Sequence, residues 1–276
     1  MIDTQWLSNL KKFDRERFDS LRHLNSERRK EIAAIYSFNL ELANIAWNVS
    51  EPELGYLKLR WWEDYVTNMK KENSIREIKY LPILSKLIAE EKLHKNSLLR
   101  LIKAREFDCS KKPFESYEQQ IKYIRDTSQN LLFMALSCLS EFKDNSLRKK
   151  LSEYFGLSLG LARFILATGS LSQNKCYSLF LPNQIDYTTY FEYRINDSIT
   201  ERIRSDIDLT FDLFQTGKME LKSIGLKKKS LSVLYAVNNL VPILKEIRNS
   251  PQLIFRKNHK LSLRAKFIGK IDELVT

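Results

Sequence analysis

The chain has few of the residues that make turns. Only 7 glycines and 6 prolines are spread over its 276 residues. Because tight turns depend on the permissive backbone of glycine and the fixed backbone of proline, a fold with many short strands needs more of both. The scarcity disfavours an all-β sandwich or a strand-rich α/β fold and favours long helices joined by short loops. A hydrophobic content of 43% is ample for a large buried core.

Cysteine is equally scarce. Cys109, Cys138 and Cys176 are far apart in the sequence and odd in number, so neither a zinc site nor a disulfide framework is predicted. No stretch approaches the roughly 20 uninterrupted apolar residues of a membrane span, and the first residues lack the basic and apolar regions of a secretory signal. We therefore expect a protein of the reducing cytoplasm.

The short patterns of common enzyme sites are also missing. The sequence contains no glycine-rich nucleotide loop, no G-x-S-x-G and no H-E-x-x-H. The three histidines, His23, His94 and His259, are isolated. We interpret each of them as a surface or structural residue rather than a ligand.

Positive charge is in excess and unevenly spread. The net charge is +12, and the region from Lys222 to Thr276 has twelve Lys or Arg against three acids. Such a region can approach the phosphates of anionic lipids or nucleic acid, although an ordinary solvated surface explains the charge equally well. Nucleic acid is the least favoured partner, because no recognition motif accompanies the charge. The candidate basic surface consists of Lys227, Lys228, Lys229, Arg256, Lys257, Lys260 and Arg264.

Apolar residues recur every three or four positions along most of the chain, which predicts amphipathic helices. One begins at Ser26, taken as its N-cap, and the next begins near Pro52. The segment after Leu181-Pro182 is predicted to be a loop. No repeat or linker divides the sequence, so we predict a single domain over residues 1–276, with about ten helices and no sheet. Further helices are predicted at about 78–90, 93–108, 116–140, 144–170, 197–224, 229–248 and 260–274.

Two local patterns predict particular packing. Gly156 and Gly160 lie four residues apart within one predicted helix. Glycine is unfavourable there unless two backbones must approach closely, so we predict a helix contact at this pair. The adjacent Trp61 and Trp62 cannot face the same direction on a helix, so at least one is predicted to be buried and the other is open to a partner or lipid.

A resemblance to a known family begins at residues 34–47, which read AIYSFNLELANIAW. This stretch resembles the first signature of the squalene/phytoene synthase family, in which L-Y-x-F leads into an aspartate-rich D-D-x-x-D. The resemblance spans about residues 14–183 and implies an all-α, isoprenoid-synthase-like helical bundle. Supporting matches are DRERF at 14–18, EPELG at 51–55, LRWWE at 59–63, AREFD at 104–108, Tyr123, and FLP at 180–182.

The sequence departs from the family at the positions that carry its chemistry. The resemblance implies carboxylates on two facing helices that hold Mg²⁺, which in turn binds the substrate diphosphate. Here the three aspartate positions of the first motif are Ala43, Asn44 and Trp47, and no Asp or Glu occurs between Tyr154 and Ile185, where the second motif is expected. We therefore expect no catalytic residues, no bound metal and no cofactor. Mg²⁺ is expected only if the chain is an active transferase with unorthodox ligands.

The details of the match favour a particular subgroup. The pattern F-N-x-E-x-A from Phe38, followed by S-E-P at 50–52 and R-W-W at 60–62, is similar to squalene/phytoene-synthase-like proteins of alphaproteobacteria. It is also similar to the mitochondrial assembly factor for respiratory complex I that is related to them. The resemblance implies a non-catalytic assembly or interaction factor with a protein partner, complex I subunits among the candidates, in the cytoplasm or peripheral on the inner membrane.

Two other functions stay open. One is an active prenyl diphosphate condensing transferase with unorthodox metal ligands. The other is a protein that binds a prenyl lipid without converting it, which an open central cavity would favour.

Six residues are candidates for a remnant pocket: four lie beside the degenerate first motif (Ala43, Asn44 and Trp47), and two belong to the match at 104–108. Glu41 is interpreted equally well as a solvated helix residue. Arg105 and Asp108, three apart, form a structural ion pair more often than a ligand clamp. Ala43 and Trp47, four apart, are predicted to share a face that points into the bundle. The six candidates are Tyr36, Phe38, Asn39, Glu41, Arg105 and Asp108.

Overall fold

The computed structural model describes residues 5–69, 78–224 and 231–256. Regular structure in these ranges is helical throughout, without a strand, which confirms the all-α prediction. The predicted helix at 260–274 lies outside the described residues. The α-helical segments are α1 (Gln5–Phe13), α2 (Arg15–Ser20), α3 (Ser26–Ile45), α4 (Pro52–Thr67), α5 (Leu81–Ala89), α6 (Lys95–Ser110), α7 (Tyr117–Ile124), α8 (Asn130–Ser137), α9 (Asn145–Leu151), α10 (Leu157–Gln173), α11 (Gln184–Phe191), α12 (Asp197–Ile224) and α13 (Val241–Asn249).

Two of the long helices are interrupted by a wider turn. A π-helical turn at Arg125–Gln129 joins α7 to α8, and a second at Ser152–Gly156 joins α9 to α10. When each interrupted pair is counted as one helix, the described ranges contain eleven α-helices, close to the number predicted. Short 3-10 helices cover Ser140–Phe142, Leu234–Leu240 and Pro251–Phe255.

Side-chain caps explain where several helices begin. The Asn25 side chain accepts a hydrogen bond of 2.9 Å from the backbone N–H of Arg28 at the start of α3. Ser26, predicted as this cap, is instead the first helical residue. The error arises because asparagine and serine are equally good caps, and two such residues stand side by side. Ser116 and Asp144 cap α7 and α9 in the same way.

The structure corrects the sequence prediction in three other places. The helices α1 and α2 were not predicted, and α11 occupies the predicted loop after Leu181-Pro182. The helix predicted at 229–248 is a 3-10 segment with non-helical angles at Tyr235, followed by the separate helix α13. The break has a physical reason, because Pro242 lacks the N–H that would continue a helix through it and therefore sits in the first turn of α13.

The centre of the bundle is α3, whose residues from Glu31 to Asn39 are all buried. A helix buried on all sides must pack against neighbours around its whole circumference. Phe38 meets Trp62 of α4 edge to face, with ring centroids 5.3 Å apart. Trp62 is 4% exposed and Trp61 48% exposed, which confirms that one of the two is buried.

The two predicted helix-contact glycines lie where backbones meet. A Cβ on Gly156 would stand 2.7 Å from the Gln129 Cα, and a Cβ on Gly160 would overlap the Ile124 Cγ2. Distances below 3.0 Å leave no room for a side chain. Both glycines therefore serve packing, as predicted, and they bring the two π turns together.

One run of helix, Asn145–Gln173, is long and apolar enough to cross a membrane by length and composition alone. In the bundle, 67% of its apolar window is buried by protein. A core helix of a folded domain has the same composition, so its length and hydropathy do not identify a membrane span.

Candidate functional site

A cavity of about 440 Å³ lies among α3, α6, α7 and α10. Its size falls within the range of about 300–1,000 Å³ that is typical of ligand pockets. The inner end is formed by buried polar residues, among them Asp14 and Ser128, and the mouth by exposed ones, among them Trp47 and Lys111. A ligand that enters it therefore passes from solvent to a polar interior.

Two helices supply facing walls of the cavity. Asn39 and Ala43 of α3 line one wall, and Arg163, Ala167 and Leu171 of α10 line the other. Residues four apart on a helix lie one above the other, so each wall is polar at its inner end and apolar along its middle. The cavity thus combines a charged inner end with apolar stretches along α3 and α10.

The inner end is built around a buried carboxylate between two guanidinium groups. Asp14 is 1% exposed. It accepts a hydrogen bond of 2.9 Å from Arg17 Nη1, and Arg163 Nη1 bonds its other oxygen. Arg17 also donates to Ser128 Oγ at 3.0 Å. The cluster therefore joins the N-terminal helices to α10 and to the first π turn.

The charges in this cluster are strongly coupled. Burial alone would raise the pKa of Asp14, but the positive charges of Arg163 and Arg17 more than offset this, so its pKa lies below the ordinary value. Burial lowers the pKa of Arg17, yet arginine remains charged at neutral pH. The cluster is thus one carboxylate shared by two cations.

A second polar cluster lines the cavity on the side formed by α6 and α7. Arg105 Nη1 donates to Asp108 Oδ2 at 3.0 Å and to the Tyr123 hydroxyl at 2.6 Å. Its Nη2 donates to Asn39 Oδ1 at 2.8 Å. The Tyr123 hydroxyl in turn donates to Asp108 Oδ1 at 2.7 Å. Burial holds the pKa of Tyr123 well above its ordinary value, so the hydroxyl keeps its proton. Arg105 and Asp108 therefore form an internal network, and their hydrogen-bonding groups are largely occupied.

Only some of the site residues that the sequence predicts lie in the cavity. Asn39, Arg105 and Asp108 meet in the cavity. Tyr36 and Phe38 are buried in the core and do not line it.

Glu41 is exposed and lines a separate pocket of about 200 Å³ beside Trp61 and Lys58.

The three positions of the degenerate motif are also separated. Ala43 lines the cavity, whereas Asn44 does not. Trp47 lies beyond the end of α3 at Ile45 and lines the mouth, where it is 50% exposed. Of the candidate basic surface, only Arg256 is described, and it is exposed.

Several cavity residues were not predicted as site residues. Asp14 and Arg17 fall within the family match at 14–18 but were not candidates there, and Arg163 was not a candidate either. Arg163 meets Asp14 across 149 positions of sequence, and no local pattern signals such a contact. Lys111 and Lys112, at the mouth, follow the end of α6 directly.

The residues present do not fit a magnesium ion. Mg²⁺ favours several oxygen ligands, carboxylates above all. The carboxylates that line the cavity are Asp14 and Asp108, and each already pairs with arginine. Within residues 5–69, 78–224 and 231–256, no group of three or more His, Cys, Asp or Glu is placed to hold a metal. No chemical step through a metal follows from this site.

The sequence matches the profile of the squalene/phytoene synthase family over residues 10–265. Because this match covers most of the chain, the protein belongs to the squalene/phytoene synthase family.

Solved structures confirm the isoprenoid-synthase-like fold. A dehydrosqualene synthase in complex with ligand superposes with a TM-score of 0.76 at 13% identity, covering 99% of this chain and 95% of that one. Squalene synthase HpnC from Alicyclobacillus acidocaldarius gives 0.68 at 16% identity, covering 90% and 96%. Likeness at such low identity establishes the fold alone.

Curated relatives are more similar in sequence. The chain is 27% identical over 179 residues to NADH dehydrogenase (ubiquinone) complex I, assembly factor 6 of Mus musculus, covering 65% of this chain and 52% of that protein. The protein of the same name from Homo sapiens is 26% identical over 137 residues, covering 50% and 41%. The chain thus spans about half the length of the curated relatives it matches.

Proposed function

We propose that this protein is a non-catalytic member of the squalene/phytoene synthase family that acts as an assembly factor for respiratory complex I. The name of its curated relatives supports the assembly role. Fold alone does not fix function, so the proposal depends on the site as well as on these relatives.

The observation that carries the proposal is the composition of the cavity wall. Ala43 and Trp47 occupy two of the three positions at which the family signature has aspartates, and both line the cavity. Ionisation of an allylic diphosphate requires a large positive charge at the departing group, which metal ions usually supply. Neither side chain can ligate a metal, and the two carboxylates of the cavity are neutralised by arginine. Among the residues that the structure describes, no group of acidic side chains replaces the metal ligands that the active-transferase alternative requires, which supports the non-catalytic proposal.

The first prediction concerns activity. Purified protein with farnesyl or geranylgeranyl diphosphate and Mg²⁺ is expected to form no squalene or phytoene above a protein-free control, because the carboxylate pairs are missing. Product is measured by mass spectrometry after organic extraction, with an active squalene synthase run in parallel. Metal-dependent condensation product from this protein would overturn the non-catalytic proposal.

The second prediction concerns assembly. Cells that lack the encoding gene are expected to contain less assembled complex I, and the reintroduced gene is expected to restore it. Blue-native gels and NADH:ubiquinone oxidoreductase activity measure the change, with another respiratory complex as the control. Normal complex I in the deleted cells would refute the assembly proposal and leave the family membership intact.

The third prediction concerns location. We propose peripheral attachment of a cytoplasmic protein to the inner membrane through the basic C-terminal region. Each Lys or Arg near an anionic surface contributes about 1 kcal/mol. The attraction must weaken with salt, because the Debye length falls from about 10 Å at 0.1 M to about 3 Å at 1 M. Co-sedimentation with anionic vesicles at low salt is the expected result.

A matched pair of variants tests whether that region carries the attachment. Lys227→Gln with Lys228→Gln is expected to weaken sedimentation with anionic vesicles. Lys143→Gln with Lys149→Gln removes the same charge from exposed positions elsewhere and is expected to have less effect. Equal loss in both variants, or no binding by the unmodified protein at low salt, would contradict attachment through the basic region.

A second candidate function is the retention of a lipid without conversion. The specific observation in its favour is the cavity of about 440 Å³, whose walls are apolar along parts of α3 and α10. Protein interiors are otherwise close-packed, so a cavity of this size needs an explanation other than packing. This function is compatible with the assembly role, since a bound lipid can stabilise the form that meets a partner.

A further inference from the structure

The outer face of α4 holds a large share of the exposed apolar side chains. Among the residues that the structure describes, nine large apolar side chains are exposed, and four of them, Leu54, Tyr56, Leu57 and Trp61, lie on this one helix. Leu57 is the most exposed of the four, at 64%. Single exposed apolar residues are ordinary on a protein surface, whereas a contiguous group marks a site of contact.

Leu54, Leu57 and Trp61 form one stripe along the helix. Their spacings of three and four residues place them one above another, and the half-buried Tyr65 extends the stripe by a further turn. The opposite face of the helix, which includes Leu59, is buried against the bundle. The α4 stripe, Leu54, Leu57, Trp61 and Tyr65, therefore points out of the bundle.

Trp61 is held in place by its aromatic neighbours. Its ring stacks on Tyr65 with centroids 5.7 Å apart and planes inclined by 15°, and it meets the buried Trp62 edge to face at 4.8 Å. A side chain that is ordered before binding loses little conformational entropy when a partner covers it. Tryptophan and tyrosine are also enriched among the residues that contribute most to the affinity of protein interfaces. Trp61 is thus suited to anchor a partner.

A groove lies beside the stripe, between α3 and α4. It is the pocket of about 200 Å³ that Glu41 lines, and its other lining residues include Ile45, Lys58, Trp61 and Trp62. An apolar side chain that projects from a partner can enter this α4 groove while the neighbouring side chains of the partner cover the stripe. An amphipathic helix docks in this way, through residues spaced three, four and seven apart.

The charged residues of this surface favour a basic partner. Five acids and two bases lie on α4, at its N-cap or across the α4 groove, all of them exposed, in a chain whose net charge is +12. None of the seven forms an ion pair with a residue that the structure describes. Unpaired acids beside an apolar stripe attract a partner of the opposite charge and fix its register. The seven are Glu41, Glu51, Glu53, Lys58, Arg60, Glu63 and Asp64.

The same charges disfavour two other occupants. An anionic membrane would be repelled by the surplus of acids. A second copy of the chain, in a two-fold contact centred on Leu57 and Trp61, would bring Lys58 and Arg60 close to the same two residues of the other copy, because such a contact matches a surface with itself. Like charges held close together oppose association.

We propose that the α4 stripe and the α4 groove bind an amphipathic helix of a partner protein, one whose apolar face is bordered by lysine or arginine. Trp61 and Leu57 contact the apolar face, one side chain of the partner enters the groove, and the basic residues pair with the acids. This inference rests on the proposed assembly function, which requires a protein partner, and adds the place of contact and the chemistry of recognition. It is independent of lipid retention in the central cavity.

Fluorescence anisotropy of labelled peptides with the purified full chain tests the surface. The probe is a helical peptide of three heptads with leucine at a and d and lysine at e and g. A second peptide has glutamate in place of every lysine, and a third has the composition of the first in an order without an apolar face. The lysine peptide is expected to bind about tenfold more tightly than either control, since apolar contact and charge both contribute.

The two control peptides separate the ways in which the proposal can fail. Equal affinity for the glutamate peptide would refute the basic border of the partner. Equal affinity for the reordered peptide would show general attraction of positive charge and refute helix docking. No binding of the lysine peptide would refute the proposal as a whole.

A matched pair of variants locates the contact on α4. Leu57→Gln is expected to weaken binding of the lysine peptide about tenfold, because it removes an apolar side chain from the centre of the stripe without a change of charge. Met219→Gln makes a comparable change at an exposed apolar position on α12 and is expected to have no effect. Circular dichroism checks that both variants fold. Equal affinities of the two variants would refute the stripe as the binding surface.

A second pair tests the acids and changes only exposed side chains. Glu41→Gln with Glu53→Gln is expected to weaken binding a few-fold at low salt and to flatten its salt dependence. The control, Glu115→Gln with Glu246→Gln, removes the same charge from exposed positions elsewhere. Equal effects of the two pairs would refute the charge complementarity at this surface.

Complementation of cells that lack the gene links the surface to assembly. At equal protein level, the gene with Leu57→Gln is expected to restore less assembled complex I than the gene with Met219→Gln. Equal restoration by the two variants would refute the α4 stripe as the contact used in assembly. If deletion of the gene leaves complex I normal, the assembly function fails, and the peptide measurements still decide whether α4 binds a basic amphipathic helix.

Discussion

Asp14→Asn is expected to lower the free energy of unfolding by about 3–5 kcal/mol. The carboxylate is buried and is shared by Arg17 and Arg163. Asparagine keeps the shape but removes the negative charge, so two guanidinium groups are left together without a counter-charge. Urea denaturation followed by circular dichroism measures the difference, with an unchanged slope as the sign that the native and unfolded states are otherwise comparable.

The matched control is Asp19→Asn, five residues further along the chain. Asp19 pairs with Arg15 at 2.6 Å, and the Arg15 side chain is 62% exposed. Pairs of this exposed kind contribute about 0–1 kcal/mol, because water already solvates both groups. Equal losses in the two variants would contradict the special role of the inner cluster.

The same carboxylate gives the protein a definite sensitivity to acid. Burial would raise the pKa of Asp14, but Arg163 and Arg17 bring it below the ordinary value of 3.8. A group whose pKa is lowered on folding stabilises the native state above its unfolded pKa, and this contribution is lost as pH falls through the folded value. As pH falls from about 5 through the folded pKa, which lies below 3.8, the unmodified protein is therefore expected to lose stability more steeply than Asp14→Asn. Parallel curves for the two proteins would contradict the coupling.

Gly156→Val is expected to lower the free energy of unfolding by about 3 kcal/mol. A Cβ at this position would stand 2.7 Å from the Gln129 Cα and 3.2 Å from the Ser128 carbonyl oxygen. Both obstacles are backbone atoms, which cannot rotate away as the end of a flexible side chain can. The two π turns would have to separate, and the packing between α8, α10 and α12 would loosen with them. Thermal and urea denaturation give the change.

Ser170→Val on the same run of helix is the control for the valine itself. Ser170 is exposed near the end of α10. Valine there costs only its helix propensity, which is at most about 0.7 kcal/mol. If Gly156→Val denatures at the same urea concentration as Ser170→Val, the close approach of the two turns does not limit stability.

The sequence predicted the long helices well and the irregular ones poorly. The spacing of apolar residues predicted a helix at 197–224, and the structure has one at Asp197–Ile224. Periodicity is strong there because the helix is long and packs along one face. Short helices such as Gln184–Phe191 offer only two turns of pattern, and a preceding proline suggested a loop. The π turns leave no residue signature, because they depend on what packs against them.

The candidate site was predictable only where the sequence matches a pattern of the family. Asn39, Arg105 and Asp108 were identified from such segments, and they meet in the cavity. Glu41, two positions after Asn39, faces away from the cavity, because each position on a helix turns by about 100°. Tyr36, one turn before Asn39, lies behind Arg17, whose guanidinium is 5.8 Å from the centre of the ring. The inner cluster needs the tertiary fold, since it joins residues from the two ends of the matched region.

The two π turns have a consequence for how the cavity can change over generations. One extra residue in a helix turns everything beyond it by about 100°, which is the effect of a single inserted codon. Tyr123, before the first π turn, faces the cavity, and Leu131, after it, is fully buried in the core. Insertion or deletion of one residue between them would change which side chains face the cavity, without any substitution in the core. The lining of the cavity can thus evolve by the insertion or deletion of a single codon, without a set of coordinated substitutions.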